Sequence, residues 1–150
     1  MTKIPLEDYK KILENMPICC VDLVIHHQGK VLLVYRKDEP AKNQWWLPGG
    51  RILKHETLQQ AALRKAKEET GFDIEIEKQI GTYELTFKEA PFGVKTGVHS
   101  ICIDFLGRPK DKNFKIKLDQ TSTDYKWMDS IEKDLHPYVK QLLKDSGVFK

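Results

Sequence analysis

Apolar residues recur along this chain with two periods, and each change of period marks an element. Residues 6–16, LEDYKKILENM, carry helical spacing that stops at Pro17, which predicts a short N-terminal helix. ICCVDLVIHH, residues 18–27, is apolar and β-branched and reads as a strand; QGK then makes a turn, and VLLVYR, residues 31–36, reads as a second strand. KDEPAKNQ is a polar loop, and WWLPGG is a short apolar segment ended by two glycines. ETLQQAALRKAKEETG has the strongest helical pattern, with Thr57 and Gln60 placed for a capping box and Gly71 for a C-terminal cap. Residues 74–87 and 97–106 read as strands joined by a loop, and GRPKDKNFKIKLDQTST as a long basic loop or edge hairpin. DYKWM is a short strand, and a C-terminal helix over about 130–146 stops at Gly147. This order predicts one mixed α/β domain over residues 1–150, with helices layered on a sheet.

Composition narrows the class. With 150 residues, 31% charged and 40% hydrophobic, the chain is of ordinary globular make-up. No apolar run approaches the roughly 20 residues that span a bilayer. The N-terminus lacks an apolar secretory core. Three cysteines without framework spacing fit a reduced cytoplasm, and Cys19, Cys20 and Cys102 read as small apolar residues. A net charge of +3 favours anionic ligands slightly and does not imply nucleic acid.

The chemistry concentrates in residues 49–72. On a helix over 58–70, Leu58, Ala61, Ala62 and Ala66 share an apolar face, yet Lys65 and Glu69 fall inside it, with Arg64 and Glu68 at its edge. A buried charge is costly unless paired or metal-bound. An exposed Lys65–Glu69 pair worth about 0.2–0.5 kcal/mol is one reading, and a functional carboxylate site is the other. The alanines favour the second, because they let the helix approach another layer. The glycines of LPGG let backbone approach a ligand, and carboxylates with a glycine carbonyl form an oxygen set suited to Mg²⁺ or Mn²⁺. Such an ion holds a pyrophosphate and activates water.

Gly50, five residues, Glu56, seven residues, then RKAKEETGF from Arg64 to Phe72 resembles the Nudix box. The one departure is Lys65, where the family has glutamate. The order of elements also resembles the Nudix α/β/α sandwich with a mixed sheet. Within the family the chain is similar to GDP-mannose mannosyl hydrolases, through Leu6 and Tyr9, the PICCVDL strand with Asp22, Arg36 with Pro40, WWLPGGR with Arg51, and the late DYKW. That group carries a Gln-His pair where this chain has Thr121 and Ser122, so no general base is evident, and Gln120 is a substitute ligand one residue away.

The resemblance implies a metal held by the Gly49 carbonyl, Glu68, Glu69 and Gln120, with Arg64 orienting the glutamates or merely forming a surface salt bridge. Glu56 ligates indirectly or favours the helix N-terminus. Arg36 and Arg51 contact phosphate or are solvated, and Asp22 faces a pocket or is a buried structural acid. His99, on a face with Ile101, Ile103 and Phe105, reads as a core residue sooner than a base. One of Trp45 and Trp46 belongs to the core and the other is free to stack. Lys65 swings the local charge by two units and predicts a single bound ion. The implied activity is hydrolysis of a nucleoside diphosphate linked to another moiety, with nucleotide sugars ahead of ADP-ribose and NTPs. A catalytically weak regulatory domain is the alternative. A homodimer is implied; membrane and nucleic-acid partners are not.

Overall fold

The computed structural model describes residues 3–149; the ends of the expected 1–150 domain, residues 1–2 and 150, lie outside the described residues. The chain runs α1 (Leu6–Asn15), β1 (Ile18–His27), β2 (Lys30–Arg36), β3 (Trp45–Trp46), β4 (Gly49–Arg51), α2 (Leu58–Thr70), β5 (Ile74–Phe87), β6 (Val98–Pro109), β7 (Ser122–Met128) and α3 (Pro137–Ser146). The seven strands form a mixed sheet, in which β1 pairs in parallel with β6 and antiparallel with β2 and β4.

Alternation along β1 builds the two layers. Val21, Leu23 and Ile25 face α2, where Ala61, Ala62 and Ala66 let the helix sit close to the sheet. Val24 faces the other way, towards Val139, Leu142 and Leu143 of α3. Strands β1 and β2 pair only through residues 26–27 and 30–31, so they splay apart beyond that point. Strand β4 occupies the opening on β1, with Asp22 opposite Gly49 and Val21 opposite Gly50. This insertion brings the WWLPGG segment against α2.

Two boundaries differ from the sequence reading. Helix α3 begins at Pro137 rather than near 130, because His136 caps its first turn by accepting from the Tyr138 N–H and Pro137 occupies the first helical position. Leu58 is not core: it sits in the first turn of α2 and is 38% exposed. The basic segment after β6 is a loop tied down by a Lys117 N–H to Thr70 carbonyl bond of 2.8 Å, with Phe114 packed on Phe72. Among the described residues no helix is long and apolar enough to cross a membrane.

Candidate active site

The helix that carries the acidic cluster is fixed at both ends. Thr57 and Gln60 close a reciprocal capping box, and Gly71 takes the left-handed conformation at φ 83°. From the middle of α2, Arg64 spreads its donors over three neighbours. It reaches Glu56 through Nε at 2.6 Å and Nη2 at 3.0 Å, Glu68 through Nη1 at 3.2 Å, and the Arg51 carbonyl at 3.0 Å. This geometry orients Glu68 and locks β4 to α2, which a free surface salt bridge does not do. Glu56 also accepts from the Leu53 N–H at 3.0 Å, so it buttresses Arg64 and the loop before the helix.

The Arg64 hydrogen bond holds the Glu56 carboxyl below its ordinary value of 4.5. A depressed carboxylate pKa contributes stability that is present above the unfolded value and lost as pH falls through the folded one. Glu56→Gln is expected to lower stability at neutral pH by about 1–3 kcal/mol, the range for a charge-assisted hydrogen bond. The gap to wild type should shrink below about pH 4.5. Urea unfolding at several pH values checks this, and a gap that stays constant down to pH 3 counts against it.

Lys65 lies across the two glutamates. Its Nζ is 2.9 Å from Glu69 and 3.3 Å from Glu68, and its side chain is only 14% exposed. Burial opposes the charge on Lys65, but Glu69 and Glu68 together outweigh it and its pKa is raised. Burial pushes the Glu69 carboxyl up against the opposing pull of Lys65. Glu69 also accepts from the Gly49 N–H at 3.3 Å. The lysine stem runs close over Gly50, where a Cβ would come within 2.6 Å of Lys65 Cε. Glu68, Glu69 and the Gly49 backbone thus lie together where α2 meets β4, with Lys65 paired to both carboxylates.

On its other side, β4 forms one end of a cavity of about 650 Å³. Arg36, Lys37, Lys42 and Arg51 line this cavity, with Trp46, Leu85 and Phe87 on the apolar wall and Tyr9 and Leu13 contributed by α1. The Arg36 guanidinium is aimed by its 2.7 Å bond to the Pro40 carbonyl, and Arg51 lies 5.3 Å from the centre of the Tyr9 ring. Asp22 lines the cavity and is also buried. A Cβ at Gly49 would collide with Asp22 Oδ1, so glycine is required where cavity and acidic cluster meet.

Sequence reasoning missed what stands behind Asp22. Asp104 is fully buried and its Oδ1 accepts from the Asp22 N–H at 2.9 Å. The Tyr138 hydroxyl lies 2.6 Å from Asp22 Oδ2 and 2.5 Å from Asp104 Oδ2. Burial, then the charge of Asp104, pushes Asp22 well up, and burial pushes Asp104 up to about 7. Cys102 lies within 4.8 Å of both carboxylates. The available signal was an acid inside the apolar run ICIDFL.

Other sequence candidates are placed as follows. Gln120 is exposed, and the charge of its neighbour Asp119 bears on Glu69. Thr121 lines the cavity and Ser122 is buried at the start of β7. His99 is not a core residue: its side chain is 40% exposed and pairs with Glu84 at 2.6 Å, because the more deeply buried face of β6 is the one bearing Ser100, Cys102 and Asp104. Trp46 is core, while Trp45 is half-buried with Lys126 above its ring at 4.5 Å.

The comparisons agree with this architecture. A family model described as NUDIX domain matches residues 18–144. The low-salt glycan biosynthesis protein Agl8 of Haloferax volcanii is 37% identical over 142 residues, which is 95% of this chain and 90% of that protein. The ADP-ribose pyrophosphatase of Methanocaldococcus jannaschii is 37% identical over 81 residues, 54% of this chain and 47% of that one. Among solved structures, the NUDIX domain of Shewanella oneidensis NrtR complexed with ADP ribose is 26% identical with a TM-score of 0.66, covering 95% of this chain and 97% of that one.

Proposed function

The chain belongs to the Nudix family, and from that premise we propose that it is a Mg²⁺- or Mn²⁺-dependent hydrolase of a nucleoside diphosphate linked to another moiety, a nucleotide sugar first. The observation that carries this reading is the meeting at β4 of a cavity holding Arg36 and Arg51 with the Glu68–Glu69 pair. A planar guanidinium matches two phosphate oxygens at once, so the two arginines bind and orient a diphosphate along the cavity. Arg64 holds Glu68 in place through the 3.2 Å bond, and the apolar wall with Trp46 and Phe87 excludes water from the bound nucleotide. Glu68, Glu69 and the Gly49 carbonyl would hold a divalent ion, which would supply charge neutralisation at the phosphates and an activated water. The similarity to a glycan biosynthesis protein over nearly the whole chain supports a sugar as the second moiety.

A turnover panel of nucleotide sugars, ADP-ribose and NTPs, with and without Mg²⁺, tests the proposal. Metal-dependent cleavage is expected, with a nucleotide sugar the best substrate. Calorimetric or Mn²⁺ resonance titration is expected to find a single tight ion per chain, because Lys65 occupies part of the carboxylate set. Two tight ions without substrate would overturn that count. The Lys65–Glu69 ion pair favours a second reading, a catalytically weak domain that binds a nucleotide as a regulatory signal; binding without turnover across the panel selects it.

A further inference from the structure

We infer that Cys20 and Cys102 form an oxidisable dithiol in the wall of the cavity, which a hydroperoxide closes to an intramolecular disulfide. The pair is defined by its two thiols alone, whatever ligand the cavity takes.

The two residues are distant in the chain, and the sheet brings them together. Strands β1 and β6 run parallel, and their register sets Cys20 directly against Cys102. Paired strands stand about 4.7–4.9 Å apart, inside the window of about 4.4–6.8 Å between α-carbons that a disulfide spans. The side chains share one face, and the Cys102 thiol is hydrogen-bonded to the Cys20 sulfur. That bond and burial push the Cys102 thiol up, so it keeps its proton. Both residues line the cavity. Cys19 belongs elsewhere: it is exposed, and alternation along β1 turns it to the opposite face, with Ile101 as its register partner.

Exposure sets the order of events. Cys20 is half-buried while Cys102 is 4% exposed, so Cys20 meets the oxidant first. Its sulfur attacks one oxygen of the hydroperoxide and the O–O bond breaks. The other oxygen leaves with the thiol proton as water or an alcohol, and Cys20 becomes a sulfenic acid. The Cys102 sulfur then attacks the Cys20 sulfur. The S–O bond breaks, the S–S bond forms, and hydroxide leaves as water with the Cys102 proton. The two thiols give up two electrons and two protons, and the hydroperoxide takes up both. A thiol already in contact captures the sulfenic acid before a second oxidant carries it to the sulfinic acid. Because both sulfurs stand in the cavity wall, closure alters the surface that a ligand meets.

The test exposes the full chain to hydrogen peroxide and counts free thiols after denaturation, with intact mass and cross-linked peptides read by mass spectrometry. The reduced chain has three thiols. Oxidation is expected to leave one, with a mass loss of two hydrogens and a cross-link joining the peptides of Cys20 and Cys102. Dithiothreitol is expected to restore all three. Cys19→Ser removes the exposed thiol that could join two chains, and is expected to go from two thiols to none with the same cross-link. Cys20→Ser and Cys102→Ser are each expected to form no internal cross-link. Cys20→Ser changes the less buried position, which keeps the test decisive if Cys102→Ser does not fold. Wild type that retains all three thiols in excess peroxide overturns the inference. A cross-link through Cys19 overturns it as well, as does a gain of oxygen mass at Cys20 with no bond to Cys102.

Discussion

Glu69→Gln is expected to remove most of the metal-dependent turnover while the protein stays folded. Glu69 is 5% exposed, yet it holds two partners that fix its direction, the Gly49 N–H at 3.3 Å and Lys65 at 2.9 Å. Glutamine has the same length and keeps an acceptor for Gly49, so the local packing against Ala66 and β4 survives. What disappears is the negative charge that would hold the cation in place. An ion of this kind contributes several kcal/mol of transition-state stabilisation, and at 1.36 kcal/mol per factor of ten the loss is about 10²–10³ in turnover. Lys65 keeps Glu68 at 3.3 Å, so the ammonium is not stranded, and the stability cost is about 1–3 kcal/mol. Turnover of the best panel substrate against Mg²⁺ concentration, paired with thermal melting followed by circular dichroism, separates the two effects. Unchanged turnover in a folded Glu69→Gln protein would remove Glu69 from the proposed chemistry.

How much of this was readable beforehand depended on the range of the interactions involved. Helix α2 was legible to the residue at its caps, because Thr57, Gln60 and Gly71 act through bonds only three or four residues long. Strand β1 was legible because its apolar run is nearly unbroken. Arg64, Glu68 and Glu69 stood out because charges on an apolar helix face need a reason, and Glu56 joined them through fixed spacing. His99 was read differently from where it lies. It is decided by which way a side chain turns on a sheet face, and one residue of offset reverses that. Tyr138 and Asp104 were out of reach for a stronger reason. They are 34 residues apart, and Tyr138 is 116 residues from Asp22. Only the folded arrangement of β1, β6 and α3 brings them together.

Lys65→Glu is expected to convert the site into one that takes more divalent cation and depends on it for stability. In the wild type the acidic group of Glu56, Glu68, Glu69 and Asp119 is set against Arg64 and Lys65. The substitution changes that balance by two unit charges at a position now within 3.3 Å of Glu68 and 2.9 Å of Glu69. A unit charge at 4 Å is worth about 4 kcal/mol at an effective dielectric constant near 20, so a two-unit swing, even heavily screened, is expected to tighten Mg²⁺ or Mn²⁺ binding by at least about tenfold and to admit a second ion. Without metal the same change sets five carboxylates against the one guanidinium of Arg64. The apo variant should therefore melt below wild type, and added Mg²⁺ should raise its Tm further than it raises that of wild type, since a ligand stabilises in proportion to RT ln(1 + [L]/Kd). Mn²⁺ titration gives the stoichiometry, and melting in chelator against saturating Mg²⁺ gives the linkage without any assay of turnover. If both proteins bind the same number of ions with the same affinity, Lys65 swings aside at no cost and does not limit the site. If the variant gains both metal and turnover, the lysine is what holds the wild-type site to a single cation, and the regulatory reading of this chain gains its physical basis.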